Sequence, residues 1–334
     1  QRVEEQLGLR ESALSNILGP QVISDVAMLG RDTYLKEGAA IGILFEAKNK
    51  LLGGELKQQR LNRLNELKSA GAEMRDLQIQ GKAVSFAFTP DNQMRSFYVV
   101  HDKYDLGTNC RQLAERFIEC IAGKRSLGES EEFRYARSLI PLGEDNTLFI
   151  YLSRRFFEGL LSPQYQVELP RRLRAMVDLQ AQDLATLAAK AEGHSGPVPS
   201  AHLINQGFLP PNSGQRQDGS RNVIVDGQAI DSLRGARGYF LPIPDVPIQA
   251  ISREEAANIE NTNWFQKTQW QQMDPVLVGL RRTTLDATTE RVEIQARMLP
   301  LNKEKYGIFT EVFGPPTKTR FRPPENDIVS VQAY

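Results

Sequence analysis

Ala40-Ile41-Gly42-Ile43-Leu44-Phe45-Glu46-Ala47 is the most apolar short run in the first third of the chain, and its reading decides the fold. Nearly continuous apolar residues over so short a stretch are the pattern of a strand covered on both faces and central in a sheet. From Asn49 the period changes. Leu52, Leu56, Leu61, Leu64 and Leu67 recur at roughly helical spacing among Lys, Arg, Gln and Glu, with Gly71 as the stop. Leu77–Ile79 then leads into Val84, Phe86 and Phe88, which alternate with Ser85 and Ala87. Thr89-Pro90-Asp91-Asn92 has turn chemistry, and Phe97 and Val99 alternate within Arg95–His101. The pair predicts an antiparallel hairpin with one buried face.

Working outward, Val3–Leu18 reads as a helix that ends at Gly19-Pro20, followed by a strand over Val22–Leu29 and a turn at Lys36-Glu37-Gly38. Downstream, Asn109 with Gln112 predicts a capped helix carrying Leu113, Phe117, Ile118 and Ile121. Ser126 with Glu129 suggests a further cap, and Phe133–Ile140 a short helix. A strand is expected over Thr147–Leu152. The expected fold class is α+β, antiparallel sheets with packed helices in two domains. Residues 1–160 form the first self-contained unit. Residues 161–250 hold the longest helix, with Leu173, Met176, Val177, Leu184, Leu187, Ala188 and Ala191 as its apolar stripe, then a loop-rich hairpin turning at Asp226-Gly227. Residues 251–334 bring a helix capped by Ser252 and Glu255 through about Met273, strands over Val276–Thr283 and Arg291–Leu299, and a further strand over Ile308–Phe313.

Lys+Arg and Asp+Glu are 41 each, so the formal charge is zero. That balance argues against a nucleic-acid partner held by bulk positive charge. No apolar run approaches the ~20 residues of a membrane helix, and no basic segment precedes an apolar one as in a signal peptide. The start at Gln1 reads as a processed or excised piece, and Ile328–Tyr334 as a strand cut at its end. Cys110 and Cys120 fall in one expected helix, ~15 Å apart along its axis, too far for a disulfide.

Catalytic signatures are missing. There is no phosphate-binding G-x-x-x-x-G-K-[ST], no G-x-G-x-x-G, no H-E-x-x-H, no C-x-x-C and no G-x-S-x-G. No cofactor or metal is therefore expected. The weak catalytic candidates are His101, Asp102 and Asp105, a trio that also reads as a polar strand end. Arg234 and Arg237 flank a glycine turn whose amides could cradle an anion, against a tight turn with solvated arginines. Arg154-Arg155 and Arg171, Arg172 and Arg174 could meet an anionic partner, against a solvated helix face. Trp264 and Trp270 read as packing residues, against a peptide-binding platform.

Gly38–Glu46, Met94–Tyr98, Leu106–Asn109, Ser126–Arg134 and Tyr151–Ser153, in this order, resemble large uncharacterised bacterial cell-envelope proteins that contain a domain of unknown function. The likeness covers roughly residues 20–160. It implies an extracytoplasmic setting, in the periplasm or cell envelope, and a longer parent chain. It carries no functional residue. The leading expectation is a non-enzymatic domain whose partner is another protein or other domains of the parent chain. The alternatives are a hydrolase using carboxylates near His101, and an anion- or nucleic-acid-binding module using the arginine clusters.

Overall fold

The computed structural model describes residues 2–9, 23–48, 51–141, 146–196, 198–265, 273–286, 288–299 and 311–312. In chain order the elements are α1 (Arg2–Leu7), β1 (Ile23–Gly30), β2 (Ile41–Ala47), α2 (Leu51–Glu66), β3 (Glu73–Ile79), β4 (Lys82–Phe88), β5 (Arg95–His101) and β6 (Tyr104–Thr108). There follow α3 (Arg111–Ile121), α4 (Glu131–Leu139), β7 (Asn146–Leu152), α5 (Arg154–Leu160), α6 (Pro163–Ala191) and α7 (Ser200–Asn205). The series ends with β8 (Asn222–Val225), β9 (Gln228–Asp231), α8 (Arg253–Phe265), β10 (Val276–Thr284) and β11 (Glu290–Met298). The class is α+β with antiparallel sheets. The helix expected over Val3–Leu18 ends at Leu7, and Glu311 and Val312, within the expected strand Ile308–Phe313, are helical; residues 10–18, the end of the Ser252 helix, Trp270, the rest of that strand and the terminal strand fall outside the described residues.

Contacts group the chain into two units: 1–130 with 158–264, and 131–157 with 265–334. This differs from the contiguous segments 1–160, 161–250 and 251–334. The reason is strand pairing: β7 hydrogen-bonds to β10, Tyr151 opposite Leu277, far along the chain. A short strand with an unpaired edge does not reveal which later strand will satisfy it.

The first unit is built on a six-stranded antiparallel sheet of order β1-β2-β6-β5-β4-β3. The Ala40–Ala47 run is interior, as its composition requires. One sheet face packs Phe97, Val99, Leu106 and Val84 against Ala114 and Ile118 of α3. The other packs Tyr98, Ile43 and Phe45 against Leu56 of α2 and Leu7. The β4–β5 hairpin thus has two covered faces, not one. Ser85 and Ser96, which alternate like solvent-facing residues, instead hold the buried guanidinium of Arg60: its Nε donates to Ser96 Oγ at 3.0 Å and its Nη2 to Ser96 O at 2.9 Å. Burial brings Arg60 down to about 10, and it stays charged at neutral pH.

Strand β6 was not foreseen. It is joined to β5 through Asp102, at φ 53°, a left-handed turn position that Asp tolerates without a flanking glycine. Consequently Asn109 does not cap α3. Its side chain ties Ile41 N, Ala39 O and Gln6 together. The cap comes from far away: Asp245 accepts from Arg111 N at 2.8 Å and Gln112 N at 3.2 Å. Cys110 precedes the helix and Cys120 lies within it, both as free thiols.

The second unit is a three-stranded antiparallel sheet, β11-β10-β7, with α4 on one face. Ala136 and Ile140 pack there against Leu277 and Phe149. Leu148, Ile150, Val292, Ile294 and Met298 are exposed, and the strand registers put all five on the opposite face.

Candidate functional site

Helix α6 organises the polar centre of the first unit. Ser162 and Pro163 start it, with Pro at the first helical position where a missing N–H costs nothing. Tyr165, Glu168, Arg172, Ala175, Leu179 and Gln182 recur at spacings of three and four and form its buried face. Four of those six positions carry polar groups, and each has partners. Tyr165 OH donates to buried Asp32 at 2.5 Å. Gln182 Nε2 donates to Val198 O at 2.8 Å. Glu168 accepts from Arg234 through both oxygens, at 2.6 and 3.0 Å.

From this pair a buried ionic network spreads. Arg234 Nη2 reaches Asp218 at 2.5 Å, and Arg216 bridges Asp231 at 2.5 Å and Asp178 at 2.9 Å. Burial would raise the Asp218 carboxyl, but hydrogen bonds from Arg234 and Ser220 outweigh it and hold the group at about 2. Burial would likewise lower Arg234, and its carboxylate partners push it up instead. Arg172 differs. Its Nη1 donates to Glu37 O at 2.7 Å and its Nη2 to Leu241 O, while its Nε stands 3.8 Å from Glu168 without a hydrogen bond. Desolvation lowers it, with Glu168 opposing.

The arginine candidates therefore have different fates. Arg234 and Arg172 are buried ion-pair and carbonyl ligands, not solvated side chains. The turn at Arg234–Gly238 cradles protein rather than an anion: Gly235 N donates to Asp231 O and Ala236 N to Asp91 O. Gly235 has φ +87°, and a Cβ there would meet Asp91 O at 2.8 Å, so glycine is required. Arg237 is exposed. Arg171 pairs through two nitrogens with Glu255, at 2.6 and 2.8 Å, and Glu255 in turn closes the Ser252 capping box. Arg174 is exposed at the lip of a cleft. Arg154 and Arg155 open α5.

His101, Asp102 and Asp105 do not converge. The β5–β6 register sets His101 opposite Tyr104 and Val100 opposite Asp105, so the imidazole and the Asp105 carboxylate lie on opposite sheet faces. His101 Nδ1 is 3.4 Å from Lys82 Nζ. Asp102 points from the exposed turn. Asp105 is buried and accepts from Tyr98 OH at 2.5 Å, beneath the Arg60 guanidinium stacked 4.9 Å over the same ring. Burial, with this hydrogen bond, pushes the Tyr98 phenol well above its ordinary range. The trio belongs to a strand end and a structural cluster. Among the described residues, no group of three or more His, Cys, Asp or Glu is placed to hold a metal ion. No helix among them is long and apolar enough to cross a membrane.

The apolar stripe of α6 has the outcome that sequence reasoning missed. Leu173, Val177, Leu184 and Leu187 are 59%, 65%, 60% and 62% exposed. The helix turns its ion-pairing face inward and leaves these four in solvent. Beside Leu173, a cleft of about 380 Å³ between α6 and α8 is lined by Leu169, Pro170, Arg171, Arg174 and Glu254. Trp264 of α8 is 70% exposed, not a core packing residue. Large apolar side chains gathered in solvent on one rigid helix, beside a polar-rimmed cleft, are the features of a protein-binding surface. Compared with protein-family models, curated proteins and solved structures, the chain finds no match in any of the three.

Proposed function

We propose that this chain is a non-enzymatic interaction or scaffolding domain of the bacterial cell envelope, and that it holds another protein against the outer face of α6. The observation that carries this reading is the inversion of that helix. Glu168 and Arg172 lie on its buried face among ion-pair and carbonyl partners, while Leu173, Val177, Leu184 and Leu187 stand outside. A catalytic site needs polar groups converging on a space that a substrate can enter; Glu168, Asp218 and Asp231 are instead occupied by arginines, and Asp32 and Asp105 by tyrosine hydroxyls. The anion-binding alternative is weakened by the same pairing, which takes Arg171, Arg172 and Arg234. The envelope setting rests on the resemblance over residues 20–160.

Site-specific photo-crosslinking in the source cell tests the reading. A photoreactive residue at Leu173 or Val177 is expected to give a discrete protein adduct that one at Asp102 does not. Equal, diffuse labelling at all three positions would overturn it. Fractionation of the same cells tests the compartment, with the chain expected in the envelope fraction.

A further inference from the structure

We propose that the outer face of α6 pairs with the same face of a second copy of this chain, antiparallel, with Leu184 of each copy set against Leu187 of the other. This deepens the interaction reading and rests on it. The exposed positions Leu173, Val177, Gln180, Leu184, Leu187 and Ala191 follow one another at spacings of four, three, four, three and four. That is the seam of a two-helix coiled coil, whose knobs require the holes of a facing helix. The occupant of this face is therefore a helix, not an extended peptide or a flat surface.

The flanks of the seam choose which helix. When Leu184 faces the second copy's Leu187, Gln180 faces Ala191, and two-fold symmetry repeats both contacts. One flank then sets Ala181 against the second copy's Ala188. Neither side chain extends beyond Cβ, so the backbones can approach closely. The other flank sets Asp183 against the second copy's Lys190, again twice. Within one chain Asp183 is raised above its ordinary value by burial, with Arg237 opposing, and Lys190 is exposed in the last turn of the helix. A groove of about 420 Å³ between this flank and the β8–β9 hairpin, lined by Leu187, Ile224 and Gly227, leaves it open to an approaching side chain. The face is thus complementary to itself in one register: leucine against leucine in the seam, small against small on one flank, acid against base on the other. The pairing uses the C-terminal half of the helix and leaves Leu173 and Val177, beside the α6–α8 cleft, to a different protein.

Sedimentation of the full chain tests this over roughly 1–200 µM, the range in which a small interface is half-formed. The wild type is expected to pass from monomer to dimer. The double variant Leu184→Glu/Leu187→Glu is expected to remain monomeric with an unchanged thermal melt, because both side chains are solvent-exposed in the monomer. Asp183→Lys and Lys190→Asp should each weaken the dimer about tenfold, and the double swap should restore it. A wild type that stays monomeric throughout, or a dimer that survives the leucine replacements, overturns the proposal. So does a charge swap that fails to recover what the single changes lose. If the chain is monomeric yet Leu173 still captures another protein in cells, this inference falls and the interaction reading stands.

Discussion

Glu168 and Arg234 meet as a two-point ion pair with neither side chain exposed to solvent. The geometry sets the orientation of the longest helix. A charge pair taken out of water gives little net stability, but breaking it strands a charge. Glu168→Gln should therefore cost about 3–5 kcal/mol in urea unfolding. Arg234→Met should cost more, because it also removes a partner from Asp218 and Asp231. Replacing both Glu168 and Arg234 with apolar residues should cost less than the sum of the two single changes, the sign of direct coupling. Additive losses would show that the two side chains are not paired in solution.

The same network makes stability depend on acid. Asp218 sits at about 2 in the fold against an ordinary 3.8. Its folded value is the lower one, so its contribution is complete above pH ~4 and is lost as pH falls from there toward 2. Glu255, held below its ordinary 4.5 chiefly by the Arg171 hydrogen bond, acts in the same direction. Urea midpoints measured between pH 5 and 2 should fall steeply, and Asp218→Asn should flatten the part of that slope below pH 4. An unchanged slope in the variant would place the acid sensitivity elsewhere.

Much of the sheet could be read from the chain, and most of the polar centre could not. Ala40–Ala47, the β4–β5 hairpin and the Asp226-Gly227 turn announce themselves because apolar period and turn chemistry are local. Strand β6 was hidden because Asp102 turns the chain without a glycine and Asp105 is a charged residue inside a strand. The inward face of α6 was hidden for a deeper reason. Glu168 and Arg172, four apart, look like a solvated helix face, while Leu173, Val177, Leu184 and Leu187 look like a core. Only the position of Arg234, 66 residues beyond Glu168, reverses the reading. A single sequence contains no local signal for that contact.

Asp245 offers a test of capping at a distance. It accepts from the first two amides of α3 and pairs with Arg95 at 2.9 Å. Asp245→Ala should cost about 1–2 kcal/mol for the lost cap, with a further loss for the unpaired Arg95. Amide exchange at Arg111 and Gln112 should accelerate. Asn109→Ala, the change that sequence would nominate as cap removal, should leave the exchange of those two amides slow. It should destabilise the chain through Ile41, Ala39 and Gln6 instead.

The two thiols should separate cleanly. Cys110 has no exposed surface, and burial, helped by the nearby Asp245 carboxylate, pushes its thiol well above the ordinary 9.0. Nucleophilic attack needs the thiolate, so Cys110 is doubly protected: few molecules carry the charge and none presents the sulfur to solvent. Cys120, ten residues along, is part-exposed on α3 with its sulfur 4.0 Å from Arg125 O. A disulfide reagent should titrate one thiol in the native chain and two in denaturant, and Cys120→Ser should abolish the native reaction. If the native chain releases two equivalents at comparable rates, the start of α3 opens far more readily than its Asp245 cap implies. The Asp245→Ala variant then provides the internal comparison, since loss of that cap should expose Cys110 and bring the second equivalent into the native titration.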